Sequence, residues 1–166
     1  ALAIRQSLYD ERPSEPENGH ALAESHHNLA SVYLVLGRPE AEEHFQTAID
    51  LREPLAKKEP DNPHLPGRIA ESYINLGLIY GGTNRVEKAE AAYARADNLL
   101  SPIVRSHPEN IDDIVSLAAA LSNWGSLRKG SGRAEESLPL FSRAIELVQA
   151  VVKKEPRFAR AQHTFY

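Results

Sequence analysis

Apolar residues recur along this chain with helical spacing, and the pattern comes in pairs. In the stretch from Asn75 to Ala96, Leu76, Gly77 and Tyr80 fall at i, i+1 and i+4, on one side of a helix. Ala89, Tyr93 and Ala96 fall at i, i+4 and i+7, on one side of a second helix. Between them lies Gly81-Gly-Thr-Asn84, a run that tolerates positive φ. The pattern predicts a helix, a turn and a returning helix. Gly77 and Ala89 let the two backbones approach, while Tyr80 and Tyr93 fill the space beside them.

The same stretch occurs, altered, on either side of itself. A shift of 47 (75 − 28) lays Asn28-Leu29-Ala30 on Asn75-Leu76-Gly77, and Ala23-Glu24-Ser25 on Ala70-Glu71-Ser72. A shift of 48 (123 − 75) lays Asn75-Leu76-Gly77 on Asn123-Trp124-Gly125, and Ala89, Tyr93, Ala96 on Ser137, Phe141, Ala144. Pro13, Pro60, Pro108 and Pro156 keep step. The chain reads as one repeat domain: a partial unit at 1–13, full units at 14–60, 61–108 and 109–156, and a partial unit at 157–166.

Each unit reads as an A helix followed by an antiparallel B helix. The A helices are placed at about Pro16–Leu36, Pro63–Tyr80 and Ile111–Arg128, and the B helices end near Lys58, Ser106 and Lys154. The turns are Gly37-Arg-Pro39, Gly81-Gly-Thr-Asn84 and Gly130-Ser-Gly132. Asn62-Pro63 reads as an N-cap and first-turn pair, and Ser14-Glu-Pro-Glu17 has capping-box spacing. Pro54 and Pro102 sit at equivalent places within B helices, and Pro139 in the second turn of the third. Each removes a backbone donor, so the expectation is a bend, with a split helix as the alternative.

Composition narrows the chemistry. A formal charge of −4 over 166 residues gives no electrostatic case for nucleic acid. No apolar run is long enough for membrane insertion, and no signal-peptide pattern opens the chain. Without cysteine there is no disulfide and no thiolate site. The 7 histidines include no HExxH and no i, i+4 pair, so no metal and no cofactor is expected. His26 falls on the core side of its helix, in register with Tyr73 and Leu121. Gly125-Ser-Leu-Arg-Lys-Gly130-Ser-Gly132 lacks the lysine of a phosphate loop and follows a helix, and no catalytic constellation is found. Ala1-Leu-Ala-Ile-Arg-Gln-Ser-Leu8 reads as the middle of a helix, which with the absence of methionine suggests a piece of a longer chain.

Leu29-Ala30…Tyr33…Gly37…Ala41…Phe45…Ala48 resembles the tetratricopeptide signature, as do Leu76-Gly77…Tyr80…Ala89…Tyr93…Ala96 and Trp124-Gly125…Ser137…Phe141…Ala144. The period is 47 to 48 rather than the family's 34. The first copy is one residue short between Tyr33 and Ala41, Ser137 replaces a small apolar residue, and Arg128 stands where Tyr33 and Tyr80 stand. The long unit is most similar to kinesin-light-chain-type arrays and to tetratricopeptide tails of bacterial signalling proteins such as serine/threonine kinases.

The resemblance implies an all-α fold, a right-handed α-solenoid whose concave face is lined by the A helices, and a role as a protein-interaction scaffold. The inward positions it implies are Glu24, His27, Asn28 and Ser31; Glu71, Ile74, Asn75 and Leu78; and Ala119, Ser122, Asn123 and Ser126. The three asparagines recur in step, and an amide can pair with a peptide backbone whatever the ligand sequence. The alternative is that they tie adjacent A helices together. With Glu24 and Glu71 and few cations in view, a neutral or mildly basic peptide is the expected partner. A structural or self-assembling spacer, associating through uncapped terminal half-units, is the competing function. The expected compartment is the cytoplasm, with a membrane-tethered parent protein as the variant.

Overall fold

The computed structural model describes residues 1–154, and among them every regular element is helical. The helices are α1 (Leu2–Glu11), α2 (Pro16–Val35), α3 (Glu40–Lys58), α4 (His64–Gly82), α5 (Val86–Ser106), α6 (Ile111–Gly130) and α7 (Ala134–Lys154). α2, α4 and α6 are the A helices; α3, α5 and α7 are the B helices. Each A helix packs most extensively on its own B helix, and each B helix then packs on the next A helix. The result is an α-solenoid preceded by α1, which fills the place of a B helix. The expected terminal unit at 157–166 lies outside the described residues.

The three A helices end alike, and the reason is backbone chemistry. In each, an N–H donates five residues back, Arg38 to Tyr33 O at 2.8 Å, Arg85 to Tyr80 O at 2.8 Å and Arg133 to Arg128 O at 2.9 Å. The preceding N–H donates three residues back, from Gly37 to Leu34, Asn84 to Gly81 and Gly132 to Lys129. This is the Schellman arrangement, which needs a left-handed residue after the helix. Gly37 (φ 66°), Asn84 (φ 59°) and Gly132 (φ 79°) supply it. The second and third A helices therefore run two residues past their expected ends, and Gly81, Gly82 and Gly130 are helical rather than turn residues.

Pro54, Pro102 and Pro139 lie inside continuous helices, so no B helix is split. All three are exposed, which leaves the carbonyl deprived of its donor within reach of water. At the N-termini, Asn62 Oδ1 accepts from His64 N at 3.2 Å, and Asn110 Oδ1 accepts from Asp113 N at 3.4 Å. The Ser14–Glu17 capping box does not form: Glu15 is the cap and makes no side-chain cap bond. Asn18 Nδ2 instead reaches back to Arg12 O at 3.2 Å and Leu8 O at 3.3 Å, tying α2 to the end of α1.

The core repeats with the units. A small residue on each A helix faces a ring on its B helix: Ala30 with Phe45, Gly77 with Tyr93, Gly125 with Phe141. A second repeated contact joins each B helix to the next A helix. Arg5 Nη1 donates to Ala21 O at 2.9 Å and Ser25 Oγ at 2.6 Å. Forty-seven residues on (52 − 5), Arg52 Nη1 donates to Arg68 O at 3.0 Å and Ser72 Oγ at 3.3 Å. In the following unit the same two positions are Leu100 and Ala120, both fully buried. A polar pair and an apolar pair thus fill one architectural slot. Ion pairs add a third link, Glu42 with Arg85 at 2.7 Å and Glu90 with Arg133 at 3.0 Å.

Candidate functional site

One face of the A helices carries the candidate residues, and the structure sorts them into two sets. Glu24, Asn28, Glu71, Leu78, Ala119 and Ser126 are exposed, and Ser31, Asn75 and Asn123 are partly so. They follow the i, i+4, i+7 spacing of one helix face in every unit, and Ser31 Oγ donates to His27 O of its own helix at 3.0 Å. No described residue hydrogen-bonds the side chain of Asn28, Asn75 or Asn123.

The position shared by His27, Ile74 and Ser122 is different, and the expectation that it faces the groove is corrected. Ile74 is 8% exposed and belongs to the core with Leu117 and Leu121 of the next A helix. His27 Nδ1 lies 3.0 Å from Ser72 Oγ on α4, and its ring meets Phe45 edge-on. Burial, then the charges of Arg52 and Arg68, push the His27 pKa down to about 4. Ser122 is more open because no described helix follows α6 and α7. It lines an apolar groove of about 400 Å³ with Val115, Ala118, Ala144, Ile145 and Val148. This position is where successive A helices stack, and 3.6-residue spacing alone cannot tell a stacking flank from an open one.

Two cavities open along the face. One of about 430 Å³ between α4 and α6 brings together Leu78, Asn123 and Ser126 with Tyr93 at its floor. The other, about 440 Å³, is lined by Glu17, His20, Ala21 and Glu24 of α2, Arg52 of α3, Asn62 before α4, and Leu65 and Arg68 of α4. His20 Nε2 lies 2.9 Å from Glu59 Oε1, which also accepts on its other oxygen from Asn62 Nδ2 at 2.9 Å.

The expectation of a cation-poor face fails at this second cavity. Arg52 is only 3% exposed, and Arg68 stands beside it on α4. Burial first, and the neighbouring Arg68 second, lower the Arg52 pKa to about 10, so the group stays charged at neutral pH. Arg52 was legible only indirectly, as an arginine in register with the apolar Leu100 and Val148.

Elsewhere, His26 is buried as expected, with Nδ1 2.9 Å from His44 Nδ1 on α3. His44 in turn stacks on Tyr33. Among the described residues no group of three or more histidine, cysteine or carboxylate side chains could hold a metal ion, and no helix is long and apolar enough to cross a membrane. Trp124 packs against the core and donates from Nε1 to Glu90 Oε1 at 3.1 Å.

Repeated hairpins, with identical helix ends and one open A-helix face, define a helical-repeat scaffold. The tetratricopeptide repeat family matches residues 70–99, from Ala70 of α4 to Leu99 of α5, so the central hairpin is similar to a tetratricopeptide repeat. No curated protein matches it. A solved structure of BtubC (BKLC) from P. vanneervenii aligns over 90% of this chain and 74% of its own. Its identity is 18% and its TM-score 0.30, too loose a superposition to inform the fold or the site.

Proposed function

We propose that this domain is a binding scaffold whose A-helix groove holds an extended peptide segment of a partner protein, through Asn28, Asn75 and Asn123, with no catalysis of its own. Tetratricopeptide repeats mediate protein–protein interaction as a class. The observation that carries the finer reading is that the three amides repeat in step yet bond no described residue. Amides tying one A helix to the next would be engaged already. Each amide pairing with a peptide backbone contributes about 1 kcal/mol, so the ladder adds roughly 3 kcal/mol, a factor of about 100 in affinity.

The test starts from a decapeptide selected on the wild-type domain from a random library. Its affinity is then measured calorimetrically for wild type and for the N28A/N75A/N123A variant. A loss of ten-fold or more supports the ladder; unchanged affinity with an intact thermal transition overturns it.

Self-association is the second reading, and exposed apolar side chains favour it. Val115, Ile145 and Val148 are about half exposed along the α6/α7 groove, and Ile4 is 67% exposed on α1. Sedimentation over a concentration series decides it, since a strict monomer excludes assembly through these faces.

A further inference from the structure

A buried hydroxyl that bonds nothing needs an explanation, because phenylalanine would fill the same space without an unpaired polar group. The ring that each B helix sets against a small A-helix residue is Phe45 in the first unit, Tyr93 in the second and Phe141 in the third. Tyr93 is 2% exposed, and its hydroxyl has no partner among the described residues. Burial pushes its pKa up to about 12, so it stays a neutral phenol that can both donate and accept. Among the described residues, His26 Nε2 is the one unpartnered side-chain polar atom that is fully enclosed. Tyr93 Oη therefore keeps an opening, and the space it lines is the cavity between α4 and α6. Between α2 and α4, by contrast, the Phe45 ring is met edge-on by His27.

The lining of that cavity discriminates by charge. No charged side chain among the described residues lines it, and its polar side chains besides Tyr93 are Asn84, Asn123, Ser126 and Ser131, all able to donate and accept. α4 and α6 both end at its rim, at Gly82 and Gly130, and the negative ends of two helices disfavour a carboxylate. Arg85, just beyond α4, and Arg128 and Lys129, in the last turn of α6, already compensate those ends and disfavour a further cation. An apolar side chain would leave Tyr93 Oη without a partner. A primary amide meets all these conditions, and the two methylenes of glutamine suit the apolar walls at Leu78 and Leu127. Asn123 stands at the same cavity, so a segment paired with that amide passes over its mouth. We propose that the cavity between α4 and α6 is a subsite for a glutamine side chain of the bound segment, with Tyr93 Oη as the specificity-determining contact. This inference rests on the groove reading and names the residue that the groove prefers beside Asn123.

The chain itself supplies the variant that removes the hydroxyl alone. Tyr93→Phe installs the ring already present in the other two units, so the fold should persist, as the thermal transition checks. Random decapeptides are selected in parallel on the full wild-type chain and on Y93F. The wild-type pool is expected to fix glutamine at one position, and the Y93F pool is not. The best wild-type binder is then resynthesised with that glutamine replaced by glutamate, lysine or norleucine. By calorimetry the glutamine peptide should bind wild type about ten-fold more tightly than each replacement, and the difference should vanish in Y93F. In a chain labelled with 13C-tyrosine, the Tyr93 Cζ resonance should move with the glutamine peptide and stay with the norleucine one, which a purely structural hydroxyl would not show. N-acetylglutamine amide binding as tightly as the peptide would overturn the peptide as the source of the amide. A wild-type pool without fixed glutamine, equal binding of the four peptides, or a preference surviving in Y93F overturns the subsite and leaves the groove standing. A glutamine preference with unchanged affinity in N28A/N75A overturns the groove instead. Retention of no decapeptide overturns both.

Discussion

The tightest glycine site among the described residues gives a quantitative test of the packing. A Cβ added to Gly77 would lie 2.5 Å from Tyr93 Cε1, 2.7 Å from Cζ and 2.8 Å from Cδ1. Ordinary carbon contacts lie near 3.5–4.0 Å, so the ring has to move by about 1 Å. Tyr93 is 2% exposed inside the core and cannot swing away freely. Overpacking of this kind costs roughly 1–3 kcal/mol, and replacing a helical glycine returns about 1 kcal/mol. The 2.5 Å approach places the cost in the upper part of that range, about 2–3 kcal/mol, so Gly77→Ala should destabilise by about 1–2 kcal/mol net, a fall of roughly 2–8 °C in the thermal midpoint. The chain contains its own control, because the equivalent A-helix residue opposite Phe45 is already Ala30. Gly125→Ala, whose Cβ would meet Phe141 at 2.9 Å, should cost less than Gly77→Ala. Urea and thermal unfolding of both variants provide the measurement. An unchanged or raised midpoint for Gly77→Ala would refute the close-approach account of this glycine.

Two further outcomes follow from the helix ends and the buried imidazoles. Asn84 holds its helix end at φ 59°, so Asn84→Ala should lose about 1 kcal/mol while Asn84→Gly stays within a few tenths, both read from urea midpoints. His27 falls from 6.5 unfolded to about 4 folded, so its neutral form stabilises the fold above pH about 6.5 and that contribution is lost as pH falls toward 4. Burial and then His44 lower His26 as well, so both act in the same direction. After discounting for His27's partial exposure, about 1–2 kcal/mol should disappear between pH 7.5 and pH 4.5. His27→Gln should flatten the stability profile over that window relative to wild type; parallel profiles would refute the assignment.

The hydrophobic period alone determined the helix pairs, because one unit cannot bury its apolar face and the three copies repeat the residues that bury it. Tyr80, Tyr93 and Ala96 were placed correctly by spacing, since small-against-large packing is a short-range property of a hairpin. The B-helix ends at Lys58 and Ser106 were legible because proline follows each within two residues. The A-helix ends were missed by two residues where the glycines were read as turn. The left-handed position falls on Asn84 and Gly132, and only the backbone bonding shows which residue takes it.

The candidate face divided along the same line. Asn28, Asn75 and Asn123 stayed open, but Ile74 went into the core and His27 onto Ser72, because the next A helix covers that flank. A helical wheel records angle about one axis and carries no information about which neighbour arrives. Arg52 shows the limit from the other side. As sequence it is one cation in a B helix, at a register position that Leu100 and Val148 fill with apolar side chains. Stacking of α2, α3 and α4 buries it, spends one of its nitrogens on Ser72 and sets it beside Arg68. The repeat was written in local spacing; the charge in its groove was decided by three helices meeting.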